Sequence, residues 1–64
     1  MPVVTIQMLS GRSDDQKRGL VKDITDAVVN NCKVPSEQVW VVIQDVERDN
    51  WAMGGTTVAD KAKG

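Results

Sequence analysis

The chain has 64 residues, 8 basic and 9 acidic side chains giving a formal net charge of -1, no histidine and a single cysteine, Cys32. That length supports one domain over 1–64 with a core too small to be comfortable alone, and the composition excludes both an internal disulfide and a Cys/His metal cluster as supplements, which leaves self-association. Interspersed charges and only two aromatics, Trp40 and Trp51, exclude a nucleic-acid partner, while the lone thiol and the lack of an apolar run near the roughly 20 residues of a membrane helix lead us to expect a cytoplasmic protein without a membrane partner.

Pro2 stands directly behind Met1. Removal of Met1 turns its imide nitrogen into a free secondary amine, and α-amino groups titrate near roughly 7.7–8.0 before burial or a nearby cation lowers them. In a chain without histidine, that amine is the available base for proton transfer near neutral pH. Proline at this position is also common without any such role, so it needs a partner residue.

Residues 3–9, Val-Val-Thr-Ile-Gln-Met-Leu, predict a strand with Val4, Ile6 and Met8 on one face and Val3, Thr5, Gln7 and Leu9 on the other. Ser10-Gly11-Arg12 breaks the alternation. Ser13 and Gln16 stand at capping-box spacing, and Asp14 and Asp15 suit the positive end of a helix dipole, so a helix opens here and runs to about Asn31. Its apolar stripe is expected to be Leu20, Val21, Ile24, Ala27 and Val28. Cys32 reads as a small packed residue, because no histidine can activate it as a nucleophile.

Asn30-Asn31 and Pro35 mark the helix stop, and residues 38–46 predict a second strand. Val39, Val41 and Ile43 share one of its faces and Trp40, Val42, Gln44 and Val46 the other, while Asp45 and Glu47 are expected at its solvated end. A helical crossover of this length makes the two strands parallel with a right-handed connection. Two strands and one helix leave open edges and an uncovered apolar face, both of which demand partners. Gly54-Gly55 then predicts a tight turn in a short C-terminal hairpin, and the last six residues are expected to fray unless a neighbouring subunit pins them. The fold class is therefore α+β, a β-α-β unit followed by a hairpin.

A proline base needs a fixed cation that holds an anionic substrate and draws electron density from the reacting carbon. Arg12 lies just past the carboxyl end of the first strand, where ligand sites in βα units fall. A cation there gains nothing from the helix dipole, although a solvated loop arginine is the plain alternative.

Pro2, the stretch Leu9-Ser10-Gly11-Arg12-Ser13-Asp14-Asp15-Gln16-Lys17, the Pro35 turn, the valine-rich second strand and Trp51-Ala52-Met53-Gly54-Gly55 together resemble the 4-oxalocrotonate tautomerase-like members of the tautomerase superfamily, over about residues 2–55. The resemblance implies the tautomerase fold: protomers paired into dimers, three dimers forming a hexamer, and active sites shared between subunits. It implies a cofactor-free keto-enol tautomerase of aromatic degradation acting on a small enol or 2-oxo acid. Pro2 matches the general base that moves a proton from the 2-hydroxyl of a dienol such as 2-hydroxymuconate to a distant carbon. Arg12 matches the arginine that binds the remote carboxylate from an adjoining subunit. The backbone amide of Leu9 corresponds to the group contacting the 2-oxygen through water, and Trp51 to the large aromatic that keeps the proline dry.

One position departs from the pattern. Where dicarboxylate-specific members carry a second arginine, this chain has Trp40, which offers one N–H donor and an apolar face. Losing a charge-assisted contact costs roughly 1.5–3 kcal/mol, so a monoacid enol, or an arylated one stacking on Trp40 and Trp51, is expected to be preferred over 2-hydroxymuconate; filling a subunit interface is the other reading of Trp40. Met53 and Leu9 stand where related hydratases need a carboxylate and a further arginine, which argues against that chemistry. A subunit of a hetero-hexamer, or a non-catalytic assembly binding small enol acids, is the alternative for the chain as a whole.

Overall fold

The computed structural model describes residues 2–63. β1 (Val3–Leu9) leads to α1 (Asp14–Cys32), a 3₁₀ turn at Ser36–Gln38, β2 (Trp40–Val46), a second 3₁₀ turn at Arg48–Asn50, the short strands β3 (Ala52–Met53) and β4 (Thr56–Thr57), and α2 (Val58–Ala62). β1 and β2 are parallel, in a register running from Val3 opposite Trp40 to Leu9 opposite Val46. β3 and β4 pair antiparallel around Gly54 and Gly55, whose φ values of 62° and 87° are those a tight hairpin turn requires and glycine supplies. The expected α+β architecture is thus present.

The capping box opens α1 as its sequence predicts. Ser13 Oγ accepts from the Gln16 N–H at 3.1 Å, and Gln16 Oε1 accepts from the Ser13 N–H at 2.9 Å, an arrangement contributing about 1 kcal/mol. The helix ends on Lys33 in the left-handed conformation, its N–H bonded to Val29 O.

Four local readings need correction. The second strand starts at Trp40 rather than residue 38, because the N–H groups of Gln38 and Val39 bond back to Pro35 O and Ser36 O in the 3₁₀ turn. The apolar stripe of α1 takes in Val29, whereas Ala27 is exposed. Cys32 is exposed rather than packed: a 19-residue helix spans roughly 27 Å against roughly 20 Å for a seven-residue strand, so its last turn overshoots the sheet. Residues 59–62, among the last six expected to fray, instead belong to α2, which Val58 opens, capped by Thr57 Oγ1 accepting from the Asp60 N–H and anchored by the Val58 N–H bond to Trp51 O at 2.8 Å.

Among the described residues none is fully buried. α1 lies on the sheet face bearing Val4, Ile6, Met8, Val41 and Ile43, all half-buried. The opposite face is open, with Val3 and Trp40 each 54 % exposed and Val42 44 % exposed. Among the described residues only a Gln7–Gln44 side-chain hydrogen bond of 3.1 Å crosses it. The radius of gyration is 15.1 Å and the smallest dimension 13 Å, against about 11 Å for the radius of a compact domain of this length.

The sheet edges are open as well. Trp40 N–H bonds to Pro2 O and Ser10 N–H to Val46 O, so even-numbered residues of both strands carry the inter-strand ladder. The backbone groups of Val3, Thr5, Gln7 and Leu9 therefore point to the free edge of β1, an unpaired row that invites strand addition.

Candidate active site

The candidate residues fall into two groups at opposite ends of the parallel pair. Pro2 is half-buried at the amino end of β1, and its carbonyl accepts the Trp40 N–H at 3.0 Å. Arg12 follows the carboxyl end of the same strand, roughly 20 Å away by strand rise. Leu9 is half-buried near Arg12, with its N–H on the free edge of β1. Trp51, also half-buried, lines a hollow of about 260 Å³ with Gln7, Val46, Asn50 and Ala52 on that same carboxyl side. One protomer therefore brings Pro2 to Trp40, and Leu9 to the Arg12 end, but it does not bring Pro2 to Arg12.

The Arg12 loop is held from both sides. Gly11, at φ 121°, makes the bend that presents Arg12. Before it, the Ser10 N–H bonds to Val46 O at 2.9 Å and Ser10 Oγ donates to Glu47 Oε2 at 3.2 Å; after it, the capping box locks Ser13. Arg12 lines a cleft of about 280 Å³ with Met8, Gln16, Lys17 and Leu20. It forms no ion pair among the described residues.

Lys17 is paired there with Asp45, their side chains 28 % and 36 % exposed. The hydrogen bond to Asp45 raises the Lys17 pKa above its ordinary value, with desolvation opposing and the charges of Asp45 and Asp14 assisting. The ammonium is therefore charged throughout the physiological range.

Asp45 and Glu47 are exposed at the end of β2 as expected, and in addition they tie that end to α1 and to the Arg12 loop. Sequence reasoning also missed Lys17 as a cleft residue, though a signal existed. Asp45 continues the inward alternation of Val41 and Ile43, and Lys17 begins the stripe that Leu20, Val21 and Ile24 extend. A carboxylate on the helix-facing side of a strand is favoured by a cation from the packed helix. No group of three or more His, Cys, Asp or Glu residues suited to a metal ion occurs among the described residues, and no described helix is long and apolar enough to cross a membrane.

Comparison with known proteins places this geometry in context. A family model described as "Tautomerase enzyme" matches residues 2–61. A probable tautomerase of Listeria innocua is 45% identical over 60 residues, covering 94% of this chain and 98% of that protein. The 2-hydroxymuconate tautomerase of Bacillus subtilis is 40% identical over 60 residues, covering 94% and 97% respectively. Among solved structures, a heterohexamer 4-oxalocrotonate tautomerase from Chloroflexus aurantiacus superposes with a TM-score of 0.87 at 35% identity, covering 94% of this chain and 97% of that one. The match begins at Pro2 and takes in β1, the Arg12 loop, α1, β2 and the hairpin, so the chain belongs to the tautomerase family and is an isomerase of the 4-oxalocrotonate tautomerase fold.

Proposed function

We propose that this isomerase is a keto-enol tautomerase that converts 2-hydroxy dienoates of the 2-hydroxymuconate type, or related enol acids, to conjugated 2-oxo acids with Pro2 as its base. The observation that carries this reading is the separation of Pro2 and Arg12 at opposite ends of β1 in a protomer that buries none of its described residues fully. A working site then takes its base from one protomer and its cation from another. The open face, the open β1 edge and the heterohexameric relative from Chloroflexus aurantiacus support a hexamer built as a trimer of dimers.

The chemistry is proton transfer alone, so it calls for no cofactor. The secondary amine removes the proton of the substrate's 2-hydroxyl, and its conjugate acid delivers a proton to the distant carbon of the dienol. Arg12 holds a carboxylate and draws electron density toward it as the 2-oxo group forms. The Leu9 N–H, at the carboxyl end of the β1 edge, is a donor that reaches the 2-oxygen through water. Trp51 and Trp40 supply apolar walls, and a drier surrounding favours the neutral amine.

The base exists only once Met1 is gone, and Met1 lies outside the described residues. Intact mass and turnover of 2-hydroxymuconate measured on one purified sample test this directly. Activity in a sample whose mass shows Met1 cleaved is the expected result, whereas equal activity in a sample retaining Met1 overturns the proline base.

Trp40 bears on the substrate. The residue is 54 % exposed and its backbone is bonded to Pro2, so the part of the substrate beside the base meets an apolar surface. Trp40→Arg is expected to raise kcat/KM for 2-hydroxymuconate relative to phenylenolpyruvate by about ten- to a hundredfold, the worth of one charge-assisted contact. An unchanged ratio in steady-state assays removes Trp40 from the account of specificity. The same position favours a second reading, a hetero-hexamer in which another chain supplies the missing cation.

A further inference from the structure

We infer that Asp45 sets the charge of the Arg12 cleft: by neutralising Lys17 it leaves Arg12 as the cleft's single uncompensated cation, and so fits the cleft to one carboxylate group. The inference rests on the reading of Arg12 as the carboxylate clamp. Two cationic side chains, Arg12 and Lys17, line the same space over a floor of Met8 and Leu20. Left alone they would repel each other and draw in two negative charges. Asp45 reaches Lys17 from the inward face of β2, opposite Met8 in the register, and cancels one of the two. Arg12 has no such partner among the described residues.

Gln16 narrows the cleft further, because its side-chain oxygen is engaged by the Ser13 N–H. Its amide nitrogen remains as a neutral donor beside the guanidinium. The cleft thus offers one charge, one neutral donor and an apolar floor, which is the recognition chemistry of a carboxylate carried on a hydrocarbon chain. Asp45 acts through Lys17 and touches no substrate; it is a residue of specificity.

The test reads binding rather than turnover, using adipate, a six-carbon dicarboxylate without double bonds, titrated calorimetrically into the assembled protein at low salt. Asp45→Asn removes the carboxylate bonded to Lys17, leaving only the weaker influence of Asp14 among the described carboxylates, and is expected to tighten adipate by roughly three- to tenfold, the effect of one additional unit charge at close range in a partly solvated cleft. Lys17→Gln leaves the Asp45 carboxylate unbalanced and is expected to weaken adipate by a similar factor. The double variant, with both groups neutral amides, is expected to return to the parent affinity. Tightening, weakening and restoration in that order distinguish a charge-setting role from a structural one, for which both single variants would lose affinity.

Weakening in both single variants, while Arg12→Ala also loses adipate, overturns this inference and leaves the clamp standing. An Arg12→Ala protein that binds adipate as the parent does overturns the clamp, and this inference with it. Failure of Pro2 as base leaves the titration unchanged, so the two readings fail separately.

Discussion

Pro2→Ala is expected to lower kcat/KM for 2-hydroxymuconate or phenylenolpyruvate by about two orders of magnitude or more, the scale of a lost general base. The variant still presents an α-amino group once Met1 is removed, so a residual rate is expected. What it loses is the pyrrolidine ring that fixes the orientation of the nitrogen, together with the secondary amine itself. The Pro2 carbonyl that receives the Trp40 N–H is retained by alanine, so β1 and β2 remain in register and the assembly should survive. Size-exclusion chromatography and initial rates on the same preparation separate the two effects. Equal rates in parent and variant would sink the catalytic role of Pro2.

Arg12→Ala is expected to raise KM for dienol diacids and to lower kcat, by about ten- to a hundredfold in kcat/KM for a lost charge-assisted contact. The larger consequence comes from mixing. Roughly 20 Å of β1 separates Arg12 from Pro2 within one chain, so a site with both residues draws on two chains. Unfolding Pro2→Ala and Arg12→Ala together in equal amounts and reassembling them should create sites with both native residues, about a quarter of the total under random pairing of symmetric subunits. Activity rising from near zero toward that fraction is the expected result. No recovery, with hexamers confirmed by native mass spectrometry, places Pro2 and Arg12 in separate functions.

Both experiments use features that local sequence made legible. β1 follows from its alternation, the start of α1 from Ser13 and Gln16, and the hairpin from the glycine pair, because each is decided by neighbours within a few residues. Even the distance between Pro2 and Arg12 is implied by the strand between them. The missed features are tertiary. Cys32 lies in the open because α1 is longer than the strand it covers, and Ala27 because the stripe turns toward Val29. The start of β2 shifts because the Pro35 turn takes two donors that a strand would have used. α2 was hidden by its charged, small-residue composition, yet Thr57 supplies a cap and the Val58 N–H a bond to Trp51 O. The Lys17–Asp45 pair joins residues 28 apart, and only the packing of α1 on β2 brings them together.

The 13 Å thickness of the protomer has a thermodynamic meaning. A layer that thin has no interior among its described residues, and in the proposed hexamer what would be its core is surface shared with other copies. Its folding free energy and its association free energy are then one quantity, governed by mass action. Persistence of the native chain becomes a property of the population of chains, set by how many copies share the solution.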